Sequence, residues 1–338
     1  MFTWKNFFIG AGFILSLIII TSLLFVYIVA HQPEIVFSLA FGDSVDEETF
    51  NLIILGFDEP FLNVQPNSIA RPDVIAVAAI DFTDKTVRIL NLPRDTLVYI
   101  PAANDYDKLN HAFGHGFRES GDNHFAPRQG LNATFEAVRR LLGGVPVHNY
   151  LSLDLGAARN VFEAVGEVGF VVEEEVISNE GEVVFGAGEQ LTTSDEIESY
   201  IRRRKGLFKS GDLDRIERQQ KFINQMVSKL GFFDYLRISN SLLEVWEENF
   251  ITDLDMRQFF ALGVLSLHLS TKRVETYTLT GFDQNFDQNG NNIWYFILDE
   301  EERRKTVKEV FGDNTKLDPS QILLKPPALL PGNKFFGS

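Results

Sequence analysis

The sequence predicts an α/β domain, layered α-β-α around a central mixed sheet and preceded by one N-terminal transmembrane helix. Short apolar runs closed by turn residues alternate with stretches of helical periodicity along one chain, a pattern of layered α/β domains and not of sandwiches or bundles. An uncharged apolar stretch from Phe7 to Ala30 precedes them. With 45% hydrophobic and 12% aromatic residues in 338, the chain can bury a sizeable core, which excludes a disordered or fibrous protein.

Taken in order, Phe7–Ala30 (FFIGAGFILSLIIITSLLFVYIVA) is the anchor. At about 1.5 Å per residue it crosses a hydrocarbon layer of roughly 30 Å. A cleaved signal peptide has a shorter apolar region, about 7–15 residues. Lys5 flanks its start, whereas Glu34 and Asp43 follow its end, so the N-terminus is expected in the cytoplasm and the remainder outside the cell membrane. Residues 31–49, with Pro33 and Gly42, read as a linker. Asn51–Phe57, Val74–Ile80 and Thr86–Leu92 are buried-strand signals, with Asp84-Lys85 as a hairpin tip between the last two. Helical spacing appears in Gln129–Leu142, Leu155–Val165, Ser194–Tyr200 and Leu213–Leu230. Beyond these, Arg273–Leu279 and Asn292–Leu298 carry strand signals, and Lys325–Ser338 is a Pro- and Gly-rich tail.

A net charge of −16 argues against a nucleic-acid binder, whose affinity comes from cations on phosphates. The absence of cysteine excludes disulfides, thiol nucleophiles and Cys-ligated metals. Against this acidic background four clusters stand out. Gly56-Phe57-Asp58, followed by Arg71-Pro72-Asp73, lies at strand ends, where α/β sheets place their sites. Pro93-Arg94-Asp95 is a second strand end, and Asp107-Lys108-Leu109-Asn110-His111 is the third cluster. The fourth runs from Tyr200-Ile201-Arg202-Arg203-Arg204 to Asp212–Gln220. On a helix, Arg215, Arg218 and Gln219 share a face, whereas Arg202 and Arg204 share one only if extended. Converging guanidinium forks suit the paired oxygens of a phosphate, and Asp58 and Asp73 are hard ligands suited to Mg²⁺.

Other signals are weaker. His111 and His115 have a metal-like spacing, but no Glu follows His111, so structural roles are expected. Asn285, Asp287, Asn289 and Gly290 imitate a calcium loop whose essential Glu is replaced by Phe296; Asn289-Gly290 reads better as a hairpin turn. The 31 Phe residues are compatible with a lipid tunnel or an ordinary core.

The order Asn51–Asp58, Arg71–Ile80, Leu92-Pro93-Arg94-Asp95, Asp107–Ala112, Tyr200–Arg204 and Asp212–Gln220 resembles that of the LytR-CpsA-Psr family, over roughly Asn51 to Leu230. The resemblance divides the chain into a cytoplasmic stub with anchor at 1–30, the linker, a catalytic domain at 50–231, an extension packed on the core at 232–311 and a flexible tail at 312–338. It implies an extracytoplasmic, Mg²⁺-dependent phosphotransferase that moves a glycopolymer from a polyprenyl diphosphate carrier to peptidoglycan, forming a phosphodiester. By the same resemblance Asp58 and Asp73 hold Mg²⁺, and Arg94, Arg202, Arg204, Arg215 and Arg218 bind the diphosphate. Arg71, Lys108 and Gln219 are supporting contacts, and Asp95 and Asp212 are both candidates for the base. Family members have a small residue where this chain has Pro72 and a glycine where it has Asp214. Two rival functions remain: a polyprenyl diphosphate hydrolase that uses the same site with water as acceptor, and a non-enzymatic envelope regulator, which the family's association with transcriptional attenuation suggests.

Overall fold

The computed structural model describes residues 20–21, 24–25, 27–42, 49–57, 70–119, 126–154, 169–173, 175–178, 180–202, 250–268, 273–288 and 291–312. The predicted helices at 155–165 and 213–230, the tail beyond 312 and most of the expected anchor lie outside the described residues. Among the described residues no helix is long and apolar enough to cross a membrane.

The elements in chain order are α1 (Pro33–Phe41), β1 (Phe50–Phe57), β2 (Val74–Asp81), β3 (Thr86–Asn91), β4 (Leu97–Ile100), β5 (Asp105–Lys108), α2 (His111–Glu119), α3 (Ala126–Leu141) and β6 (Asn149–Asp154). Four short strands follow, β7 (Phe170–Val171), β8 (Val176–Ile177), β9 (Val183–Phe185) and β10 (Gln190–Leu191), then α4 (Ser194–Arg202). The last are β11 (Phe250–Thr252), α5 (Met256–His268), β12 (Val274–Thr278), β13 (Gly281–Gln288), β14 (Asn291–Leu298) and α6 (Glu300–Phe311).

A six-stranded sheet in the order β11-β6-β1-β2-β3-β12 forms the centre. It is mixed: β1 runs antiparallel to β2 and parallel to β6, and β3 runs parallel to β12. Residues 232–311, set apart by the sequence as an extension, thus supply both edge strands of this sheet.

Both faces of the sheet are covered, which explains why its two central strands, β1 and β2, are almost wholly apolar and do not alternate with polar residues. Ile53, Leu55 and Phe57 of β1 join Phe113 of α2, Val138 of α3 and Val310 of α6 on one face. Leu52 of β1 and Ile80 of β2 join Phe37 and Phe41 of α1 and Val264 of α5 on the other. The described residues just before α1 belong to this second layer, because Val29 is buried there and its carbonyl oxygen lies 2.8 Å from Nε2 of His268.

Local signals account for several boundaries. α4 opens on a capping box, in which Thr193 Oγ1 accepts from the Glu196 amide at 3.3 Å and Glu196 Oε2 accepts from the Thr193 amide at 3.1 Å. In the β2–β3 hairpin Lys85 takes a positive φ of 53°, matching the predicted tip. Two helices pack closely because they carry glycine where they cross. A Cβ on Gly116 of α2 would lie 2.4 Å from the Gln129 carbonyl oxygen of α3, and one on Gly130 would lie 2.8 Å from the Phe113 ring.

The sequence reading took residues 31–49, which hold α1, for a linker and placed none of β4 to β11, α2, α5, β13 and α6; for β6 and α2 the reasons are physical. The inward positions of β6 include Ser152 and Asp154, so no apolar run marks it. The Ser152 hydroxyl is accommodated by donating to the Ile251 carbonyl at 2.6 Å. Gly114 and Gly116 interrupt α2, and glycine is a poor helix former.

Candidate active site

The register of the sheet assembles the site. β1 and β2 pair as far as Gly56 and Val74, and the Asp73 amide donates to the Gly56 carbonyl at 2.8 Å. Asp73 therefore stands beside the end of β1, whose next residue after Phe57 is Asp58. On the other side of β2, the Leu92 amide donates to Ile75 O at 2.9 Å, so the chain leaves β3 next to Asp73 as Pro93-Arg94-Asp95-Thr96.

That segment is a tight turn, closed by the Thr96 amide and hydroxyl on the Pro93 carbonyl at 3.0 and 2.6 Å. Three further bonds pin it: the Asn110 amide to Arg94 O at 3.0 Å, the Leu109 amide to Thr96 O at 2.9 Å and the Phe296 amide to Asp95 O at 3.0 Å. A turn held from three directions offers its side chains a fixed geometry.

The side chains form a chain of charge. Arg94 Nη1 donates to Asp73 Oδ1, Arg94 Nε to Asp95 Oδ2 at 3.3 Å, and Lys108 Nζ to Asp95 Oδ1 at 2.7 Å. All four side chains are mostly buried, between 14% and 20% exposed. Lys108 Nζ also sits 5.1 Å from the centre of the Trp294 ring and 5.8 Å from that of Tyr295, within cation–π range. Two carboxylates and two cations balance one another here, so an incoming phosphate needs further cations or must draw Arg94 from its carboxylates. The Asn110 side-chain Oδ1 is buried without a partner among the described residues, on the residue whose backbone amide holds the Arg94 carbonyl.

Beside this row Asp107 gathers three donors: His111 Nδ1 at 2.9 Å, His115 Nε2 at 3.1 Å and the Lys108 amide at 2.8 Å. Burial by itself would raise the Asp107 pKa, but the bonds from His111 and His115 outweigh it and hold the carboxyl well below the usual range. The two histidines are thus turned toward one carboxylate, which ties β5 to α2 and fixes the backbone of Lys108. A depressed pKa means the ionised Asp107 stabilises the fold above its ordinary value of 3.8 and that this contribution is lost as acid protonates it. An Asp107→Asn variant is therefore expected to be less stable at neutral pH and to lose less on going from about pH 5 to 2. Urea midpoints across that range check it; parallel curves for the two proteins contradict it. Burial, with the Asp107 and Asp105 carboxylates nearby, raises the Tyr295 hydroxyl above its ordinary range, so it stays protonated.

Of the residues named from sequence, the structure brings together Asp73, Arg94, Asp95 and Lys108. Arg71 is exposed on the entry to β2, and among the described residues no hydrogen bond or ion pair joins it to the others. The chain is helical through Arg202, so the extended arrangement considered for Arg202 and Arg204 does not hold at Arg202. Asp58, Arg204, Asp212, Arg215, Arg218, Gln219 and the Arg202 side chain lie outside the described residues. Among the described residues no three His, Asp or Glu side chains converge as metal ligands. The donor chemistry nevertheless suits a hard cation, since register puts the Asp73 carboxylate at the strand end that continues into Asp58. Sequence reasoning missed Trp294 and Tyr295, whose approach to Lys108 depends on a hairpin almost two hundred residues away along the chain.

An α/β domain with an arginine–carboxylate row across its strand ends defines the class, and the sequence profile that matches it is that of the LytR_cpsA_psr family, over residues 29–311. The chain belongs to this family. It is 24% identical, over 79% of its length and 77% of the relative's, to the polyisoprenyl-teichoic acid–peptidoglycan teichoic acid transferase TagT of Bacillus subtilis strain 168. The crystal structure of B. subtilis TagV superposes with a TM-score of 0.59 at 23% identity, covering 78% of this chain and 98% of that one. A structure of TagT bound to LIIa-WTA gives 0.58 at 23% identity, covering 79% and 91%. The family match reaches well past residue 230, taking in the edge strands β11 and β12.

Proposed function

We propose that this protein is a transferase that moves a glycopolymer from a polyprenyl diphosphate carrier to peptidoglycan and leaves it attached through a phosphodiester. The observation that carries the reading is the Arg94-centred row at the strand ends, in a chain whose family relatives bear the name of teichoic acid transferases. Arg94 binds the diphosphate, joined by Arg202, Arg204, Arg215 and Arg218 with Arg71, Lys108 and Gln219 in support. An acceptor hydroxyl attacks the phosphorus that carries the glycopolymer. The bond to the bridging oxygen breaks, polyprenyl phosphate leaves, and the hydroxyl proton passes to a base. Both oxygens of Asp95 already accept from Arg94 and Lys108, which favours Asp95 as their anchor and Asp212 as the base. Asp58 and Asp73 would hold Mg²⁺, which when bound neutralises charge on the phosphoryl oxygens. Arg94, held beside the site by Asp73 and Asp95, would stabilise that charge as the phosphate draws its guanidinium from them.

The part of Phe7–Ala30 that precedes the buried Val29 would anchor the chain in the cell membrane, with the N-terminus cytoplasmic and the catalytic domain outside, within reach of a lipid-linked donor. The deciding assay supplies the full chain in detergent with a labelled polyprenyl diphosphate glycopolymer, with and without peptidoglycan. Polymer-linked peptidoglycan formed only when acceptor is present is expected. Release of polyprenyl phosphate at the same rate without acceptor would make the protein a hydrolase.

A further inference from the structure

The β13–β14 hairpin takes no part in the chemistry above, yet it touches the site. Its strands pair with Asn285 opposite Trp294 and Asp283 opposite Phe296. Side chains alternate between the faces of a strand, so Trp294, Asn292, Asn285 and Asp283 share one face while Tyr295, Ile293 and Phe286 share the other. The second face is covered around Tyr295, which is buried with Leu97 and Tyr106 while Phe286 and Ile293 pack against them; at the start of β13, Phe282 on that face is 55% exposed. The first face is open, with Trp294 36% exposed and Asn292, Asn285 and Asp283 exposed beside it.

An open indole ringed by amides and a carboxylate matches the chemistry of a pyranose. The C–H face of such a ring stacks on an aromatic surface, and its hydroxyls bond to amide and carboxylate groups at the edge. Position supports the same ligand. Lys108 Nζ lies 5.1 Å from the indole centre and 2.7 Å from Asp95 Oδ1, and the Phe296 amide is bonded to the Asp95 carbonyl at 3.0 Å. The platform is thus built onto the Arg94 turn, beside the side chains proposed to hold the diphosphate.

We propose that Trp294, with Asn285 and Asp283, is a sugar-binding platform that stacks a pyranose ring beside the diphosphate site. The proposal rests on the transferase reading above and assigns residues to the sugar part of its substrates. Two sources share that chemistry: the donor sugar bonded to the diphosphate and a sugar of the acceptor glycan.

The test is calorimetric titration of the full chain in detergent with three probes: a short polyprenyl diphosphate without sugar, the same lipid carrying an N-acetylhexosamine, and a soluble peptidoglycan glycan fragment. Wild type is compared with Trp294→Ala, Trp294→Phe and Asn285→Ala; the last two preserve the hairpin if the first disturbs it. Trp294→Ala is expected to weaken the sugar-bearing lipid about tenfold and leave the sugar-free lipid unchanged, with Trp294→Phe between. If the glycan fragment alone is weakened, the platform serves the acceptor. Equal weakening of every probe, or no change with either sugar probe, overturns the proposal. Failure of wild type to bind the sugar-free diphosphate overturns the transferase reading itself, and the platform with it.

Discussion

Arg94→Ala is expected to lower kcat/KM for glycopolymer transfer by about 10²–10³-fold, the usual effect of removing one preorganised donor to a developing oxyanion. The guanidinium is the hub of the site, with Nη1 on Asp73 and Nε on Asp95. Its removal leaves two mostly buried carboxylates without their shared cation and turns a balanced row into a net negative one. A phosphate would then approach repulsion where it now meets a fork. Arg94→Lys retains the charge but loses the planar fork, so an intermediate loss is expected. The loss should appear in both the transfer assay and the affinity for sugar-free polyprenyl diphosphate. A folded Arg94→Ala protein that transfers at the wild-type rate would remove Arg94 from the site.

The second large effect concerns stability. Arg303 of α6 is fully buried, at 0% exposure. Its Nη1 donates to the Leu141 carbonyl at 2.8 Å, and Nε and Nη2 grip the two oxygens of Glu300 at 2.8 and 2.9 Å. Leu141 ends α3, and its carbonyl is among those a helix C-terminus leaves unpaired, at the negative end of the helix dipole. The guanidinium thus closes one helix while fastening another to it. Arg303→Ala leaves a buried carbonyl without its donor and Glu300 with Arg304 as its remaining partner, and is expected to cost about 1–3 kcal/mol, read as a lowered urea midpoint. Arg303→Met, which fills the volume, should cost less. Activity should fall only as far as the protein unfolds, because Arg303 takes no part in the site. Burial would raise the Glu300 pKa, but Arg303 and Arg304 outweigh it, so this contribution too is lost as pH falls. A midpoint unchanged in Arg303→Ala would show that the carbonyl and carboxylate find other partners.

The parts of the fold legible in sequence were those whose cause is local. β1 and β2 were placed within a residue or so because each buries both faces and is almost wholly apolar, and β3 because Val87, Ile89 and Leu90 still form an apolar run around Arg88. The amphipathic spacing of α3 and α4 also acts over neighbouring residues. The sequence missed β6, whose inward Ser152 is satisfied by a carbonyl on β11, about a hundred residues onward. It missed α2 because Gly116, costly in an isolated helix, is required only by the approach of α3.

The candidate site divides in the same way. The identities of Asp73, Arg94, Asp95 and Lys108 could be chosen from motif order and from the chemistry of guanidinium, ammonium and carboxylate groups. The pairing of Arg94 with two carboxylates, the capture of both Asp95 oxygens and the convergence of His111 and His115 on Asp107 could not be chosen so. These depend on the registers of β1 with β2 and β2 with β3, and on where α2 leaves β5. Trp294 came to Lys108 only through the docking of a distant hairpin on the Arg94 turn. Sequence by itself determined which chemical groups this protein carries and which segments become its central strands, because those follow from side-chain chemistry and short-range periodicity. Tertiary structure alone decided which groups meet, because contacts between residues far apart in the chain are selected by packing of the whole domain and leave no local pattern.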